Sequence, residues 1–179
     1  MVLLPHSSEN PRPFTHTIPG VLTSVRDGRR VVAVDIDTWS SICKRIYTCD
    51  PSRAPIIMDE IGGALGAELA TRQKKETPFT EDSMADIVAS LSEVGWGQFV
   101  FDSDVLKAFT SHKSDQVNFR IKGCAFNKLR LGGETPLCHF TVGLLKGTMS
   151  VLEGEQFRAW EELCTSKGDD VCEVVVARR

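Results

Sequence analysis

Glu161–Val174, EELCTSKGDDVCEV, places two cysteines eight residues apart across a loop that ends in Gly-Asp-Asp. Glu161 stands three residues before Cys164, and Cys138 opens the apolar segment upstream. Two readings fit this pattern: a metal site, or three ordinary buried thiols. The flanking residues fix the architecture around it. "EQFRAWEELC" and "VCEVVVA" read as two strands joined by "TSKGDD", and "PLCHFTVGLLKGTMSVLEG" reads as a mostly apolar helix bounded by Pro136 and Gly154.

Simple lengths test whether the donors can meet. A helix from Cys138 to about Leu152 runs roughly 21 Å at 1.5 Å per residue. A strand from Gln156 to Cys164 returns roughly 26 Å at about 3.3 Å per residue. A strand packed back along the helix therefore brings Cys138 and the 161–164 segment to one end, and the terminal hairpin adds Cys172. One condition attaches. In a regular strand Glu161 and Cys164 point to opposite faces, so a shared ion requires the strand to end or bulge near Leu163.

Three thiolates and one carboxylate fill a tetrahedral zinc shell, leaving no position for water, so such a site is structural rather than catalytic. Soft sulfurs disfavour magnesium or calcium, and the single carboxylate disfavours an iron–sulfur cluster. His139 is a rival donor, but as a helix neighbour of Cys138 it points about 100° away. Spacing alone leaves zinc and buried thiols both open.

The rest of the chain is that of a soluble globule, 179 residues with 41% hydrophobic and 25% charged residues. The net charge is −3 with both signs mixed, so no nucleic-acid or anionic-membrane partner is expected. No apolar run of about 18 residues offers a membrane span. "MVLLPHSSENPRPF" lacks a basic start and breaks at Pro5, unlike a signal peptide, so a cytoplasmic location with six reduced cysteines is expected.

Residues 1–19 hold four of the eight prolines and read as an extended arm, with one domain over 20–179. "GVLTSVRDGRRVVAVDID" reads as a hairpin around Asp27-Gly28. Asp37-Thr38 then caps a helix through "WSSICKRIYTC", whose Cys43 and Cys49 fit no common ligand spacing. "RAPIIMDEIGGALGAELATRQKK" is a long helix. Gly62 and Gly66 give it a bare face for close helix packing or, less simply, for a ligand or a second subunit. "TEDSMADIVASLSEVG" is a further helix with Thr80 or Asp82 near its cap and Gly95 at its end. "GWGQFVFDSDV" suggests a strand with Phe99 and Phe101 on one face, His112 falls in a solvated loop, and "DQVNFRIKGCAF" alternates as a half-buried strand. The fold class is α+β, an antiparallel sheet packed with helices.

The C-terminal residues quoted above resemble the 4-vinyl-reductase-type (hydrocarbon-binding) domain family. Its pattern is a Cys opening a Gly-containing helix, then Glu-x-x-Cys, then a Gly-Asp turn and a final Cys in a strand. "DGRRVVAVDIDTW" and "IGGALGAELA" resemble its N-terminal hairpin and Gly-rich helix, so the likeness spans roughly residues 20 to 177. The resemblance implies a fold shared with small subunits of the TRAPP complex and with phenol-sensor domains. It implies zinc held by Cys138, Glu161, Cys164 and Cys172. Two places that are aromatic in the phenol sensors are Val142 and Ala159 here, which implies a larger, more apolar pocket for a bulky hydrophobic ligand. Phe101, Val117 and Phe119 are further pocket candidates, each with plain core packing as its alternative.

Three functions follow from that resemblance. The first is a zinc-stabilised module, dimeric and signalling to a partner chain, that carries or senses an aromatic or tetrapyrrole-like small molecule. The second is an accessory to, or an enzyme of, vinyl reduction on a chlorophyll precursor. The chain lacks a G-x-G-x-x-G after a strand, so intrinsic reductase activity is not expected. The third is a TRAPP-like dimeric scaffold, for which the Gly62/Gly66 face could serve.

Overall fold

A computed structural model describes residues 14–18, 21–24, 28–76, 81–126 and 137–179. Asp27, Thr80, Pro136 and the start of the arm fall outside these residues, as does the side chain of Asp82. The chain divides into two compact units, Met1–Asp35 and Ile36–Arg179.

In the first unit, β1 (Phe14–Ile18) pairs with β2 (Val21–Ser24), which pairs with β3 (Arg30–Val31). β2 and β3 pair antiparallel as the hairpin reading expects, with Leu22 opposite Val31. Phe14–Ile18, within the stretch read as an arm, adds a third strand.

The second unit opens with α1 (Ile36–Cys49), α2 (Ala54–Glu76) and α3 (Glu81–Glu93). Asp37 lies inside the first turn of α1 rather than before it, and the Asp50 carboxylate accepts the Arg53 N–H where the chain turns into α2. Then follow β4 (Gln98–Val100), α4 (Ser103–Thr110), β5 (Gln116–Lys122), α5 (His139–Glu153), β6 (Phe157–Leu163) and β7 (Cys172–Arg178). The four strands form an antiparallel sheet in the order β4-β5-β7-β6. The α+β expectation is met.

Two expectations about elements are corrected. Phe101 follows β4 instead of lying in it, and the next residues form α4, which the sequence reading missed. The Asp102 carboxylate accepts the N–H groups of Asp104 and Val105, and Leu106 and Phe109 bury one face of this short helix. That cap signal was present in "DSDV". The aromatics before it suggested a continuing strand.

The Gly62/Gly66 face is used inside the subunit. A Cβ at Gly62 would lie 1.9 Å from the Phe140 carbonyl oxygen, and one at Gly66 would lie 2.1 Å from that of Leu144. α5 answers with Gly143 and Gly147, whose added carbons would meet the carbonyls of Asp59 and Gly63 at 1.9 and 2.3 Å. The two helices therefore touch backbone to backbone, which excludes this face as a dimer surface. The Lys146–Asp59 ion pair bridges the same two helices. Gly154, at φ +75°, ends α5 in the left-handed conformation that suits glycine.

β7 is buried along both faces because it is central. Cys172, Val174 and Val176 face the core opposite Ile121, Phe119 and Val117 of β5. On the other face Glu173 accepts hydrogen bonds from Asn118 at 2.8 Å and Arg120 at 2.5 Å. This pairing lets a carboxylate sit at 6% exposure.

Candidate metal centre

Three chain segments meet at one end of the sheet and supply four donors. Cys138 immediately precedes α5, where the helix's positive end favours a thiolate. Glu161 and Cys164 come from β6 and its end, and Cys172 opens β7. Their donor atoms all lie within 4.8 Å of one another, and the three cysteines are 0–1% exposed.

The departure that a shared ion requires of β6 is present. Glu161 pairs with Val174, yet Leu163, two residues on, pairs with Glu173, the very next residue along β7. The extra residue, Glu162, is a bulge that turns Cys164 to the same side as Glu161.

The Gly-Asp-Asp turn supports this arrangement. The Asp169 carboxylate accepts the Cys164 N–H at 2.7 Å, and the N–H groups of Lys167 and Asp169 both donate to the Cys164 carbonyl. Thr165 brings its N–H within 3.4 Å and its hydroxyl within 3.3 Å of the Cys172 sulfur, while Ser166 Oγ lies 2.8 Å from that of Cys164. Donors aimed at sulfur stabilise the thiolate form that a metal needs.

The donor set fits a cation on two grounds. Glu161 Oε2 accepts the Cys138 N–H at 3.1 Å, whereas Oε1 is buried with no partner. An orphaned carboxylate oxygen among three thiols is a vacant ligand in the chemical sense. Two of the four donors are also held in their protonated forms, while the pKa values of the Cys164 and Cys172 thiols are lowered. Burial, reinforced by Cys164, pushes the Glu161 carboxyl up to about 8. Hydrogen bonds that the Cys138 thiol donates to Cys124, Cys164 and Cys172, together with burial, hold it well above its usual range. A bound cation would reverse both effects.

His139 is engaged elsewhere, as its helical position predicted. Its Nδ1 lies 2.8 Å from the Tyr47 hydroxyl, which also reaches 3.5 Å from the Leu137 carbonyl, so Tyr47 holds both neighbours of Cys138. Burial lowers the His139 pKa, so a neutral ring shares this hydrogen bond with the tyrosine hydroxyl. Cys43 is buried, with its thiol pushed up to about 11 by burial, and Cys49 is exposed. Neither joins the donor set.

The pocket candidates all belong to one hydrophobic cluster. Val117, Phe119 and Val142 lie within it, with Phe101 and Ala159 packed against it. Phe101 and Phe119 have ring centroids 5.8 Å apart, and Val117 and Ala159 face the same β7 residue, Val176.

Two features escaped the sequence reading. Trp39, Trp96, Phe126 and Phe140 form an aromatic quartet, with Trp96 stacked on Phe140 at 4.8 Å and Trp39 edge-on to Trp96 at 5.5 Å. The Trp39 Nε1–H is buried without a partner. The other is Cys124, buried with its sulfur 3.6 Å from that of Cys138. Its place follows from the β5–β7 register, in which Ile121 lies directly opposite Cys172.

The sequence matches no family model and no curated protein. Three solved structures share its fold. The phenol-responsive sensory domain of the transcription activator PoxR, in a structure with phenol, superposes with a TM-score of 0.75 at 15% identity, over 93% of this chain and 85% of that one. A vinyl-4-reductase family protein from Methanocaldococcus jannaschii gives 0.59 at 17% identity, over 83% and 84%. A trafficking protein particle complex subunit 3 from Naegleria fowleri, covalently bound to palmitic acid, gives 0.54 at 13% identity, over 80% and 92%. No helix among the described residues is long and apolar enough to cross a membrane. The chain thus has the α+β fold shared by a phenol-sensing domain, a vinyl-4-reductase family protein and a trafficking-complex subunit.

Proposed function

We propose that this chain is a zinc-stabilised domain that carries or senses a hydrophobic small molecule. The observation that carries the zinc assignment is the convergence of Cys138, Glu161, Cys164 and Cys172 within 4.8 Å, with the bulge that a shared ion requires. Three sulfurs and one carboxylate suit zinc, and a filled shell gives it a structural role. Holding the ion, these residues tie the start of α5 to the β6–β7 hairpin.

Support for a hydrophobic ligand comes from the company the fold keeps. Two of the three neighbours hold small organic molecules, phenol in one and palmitic acid in the other. Phe101, Val117, Phe119, Val142 and Ala159 are the proposed contacts, with apolar burial as the driving force. Val142 and Ala159 favour a bulky aromatic or tetrapyrrole-like guest over phenol. The domain is taken as residues 20–179, acting as a cytoplasmic homodimer that passes its signal to a partner chain.

A second reading draws on the vinyl-4-reductase neighbour. In it the chain presents a tetrapyrrole to a separate reductase, which supplies the hydride.

Native mass spectrometry of gently purified protein, read against the denatured mass, tests these proposals together. One zinc per chain with an added organic mass is the expected result. Zinc without an organic mass, even after soaking with hydrophobic candidates, turns the reading to a scaffold. No metal returns the cysteines to the core.

A further inference from the structure

A further thiol, that of Cys124, stands beside the centre without belonging to the four donors that lie within 4.8 Å of one another. Cys138 and Cys172 have sulfurs 3.4 Å apart, and Cys124 and Cys138 have sulfurs 3.6 Å apart. Two thiolates at 2.3 Å on one tetrahedral ion stand about 3.8 Å apart. Cys124 is therefore related to Cys138 by the spacing of co-ligands.

The chain delivers it there by construction. Ile121 of β5 pairs with Cys172, and β5 ends at Lys122. Gly123, at φ +60°, adopts the left-handed conformation that suits glycine and turns the chain. The Ala125 N–H then anchors the segment on the Trp96 carbonyl. Cys124 is left at 1% exposure against the Cys138–Cys172 edge. A thiol with no chemistry to do needs no such address.

Glu161 is the displaceable member of the set. It is the single oxygen donor among sulfurs, and the softer the cation, the more a thiolate is preferred over a carboxylate. Its Oε2 already has the Cys138 N–H as a partner.

We propose that Cys124 is a reserve ligand that replaces Glu161 when the ion is soft, converting a three-sulfur, one-oxygen centre into a four-sulfur one. The exchange balances simply. The Cys124 thiol gives its proton to solvent as its sulfur bonds the metal, and Glu161 leaves as a carboxylate. No oxidant or reductant is needed. The ion class is a thiophilic cation such as cadmium, alongside zinc on the original set. This inference rests on the metal reading above.

The test loads the metal-stripped, reduced full chain with cadmium-113 and compares the wild type with Cys124→Ser and Glu161→Gln by NMR. The cadmium shift moves downfield with each sulfur bound. A four-sulfur shift is expected in the wild type and in Glu161→Gln, and a three-sulfur shift in Cys124→Ser. Cadmium affinity is expected to stay within about tenfold in Glu161→Gln and to fall by more than about a hundredfold in the double variant. Cys124→Ala repeats the measurement if circular dichroism shows the serine variant unfolded. A wild-type shift that Cys124→Ser and Cys124→Ala leave in place overturns the inference while the metal reading stands. A wild type that takes up neither cadmium nor zinc overturns both.

Discussion

At the residue scale the centre depends on side chains that donate to sulfur or hold the loop as much as on those that bind. Cys172 touches Cys138 and receives Thr165. Cys172→Ser in a Cys124→Ser background, where no spare thiol remains, is expected to lose stoichiometric zinc, read by elemental analysis, and a double variant that retains one zinc per chain would sink the assignment. Asp169 acts one step removed, through the Cys164 N–H. Asp169→Ala should weaken zinc binding about 10- to 100-fold while leaving the stoichiometry at one, measured by competition with a chelating dye. The ligand residues were legible because each sits at a chain landmark: a helix start, a strand end, a hairpin stem. Cys124 was not, because its closeness to Cys138 follows from the β5–β7 register. Asp169 stood in the quoted stretch, but its role depends on a loop conformation that spacing does not specify.

At the element scale the decisive feature is the α2–α5 crossing. Gly62→Ala would drive a methyl group into the Phe140 carbonyl, with backbone rather than a flexible side chain in the way. A cost of about 3 kcal/mol is expected. In a chain of this size that lowers the melting temperature by roughly 6–12 °C. Calorimetry decides it, since an unchanged transition would mean that the helices stand apart. The long elements were readable because their signals persist: α2 as 23 residues rich in helix formers, β5 with Val117, Phe119 and Ile121 on one face. α4 was missed because eight residues give periodicity little room, and Phe99 and Phe101 outweighed the Asp102 cap. The partner of the Gly62/Gly66 face was equally hidden. Gly143 and Gly147 carry the same four-residue spacing, but sequence does not say which helices cross.

At the scale of the whole molecule, metal and proton compete for the same centre. In the metal-free protein Glu161 keeps its proton up to about pH 8, against an ordinary value of 4.5. The sign follows from proton counts. Between those two values the unfolded chain has released this proton and the folded chain has not, so raising the pH favours unfolding. Chelated protein should therefore lose stability from about pH 4.5 towards 8 relative to chelated Glu161→Gln, measured by urea denaturation. Parallel curves for the two proteins would refute the shift. Adding zinc should raise the urea midpoint, corresponding to about 2.7 kcal/mol of added stability once free zinc reaches a hundred times its dissociation constant. The sheet order and the two-unit division were beyond sequence reading, since both depend on which distant segments pair.

The backbone contact between α2 and α5 also has a mechanical meaning. With glycine against carbonyl at four points, these helices have no layer of side chains to shear, so they move as one stiff body. That body carries Cys138 at one end of α5 and Val142 one turn along it. Any guest pressing on Val142 must displace the sulfur as well, unless the strain is absorbed in the sheet. Binding of a guest among these apolar residues and the colour of a cobalt-substituted centre should then change together, making the metal a built-in gauge of the core around it.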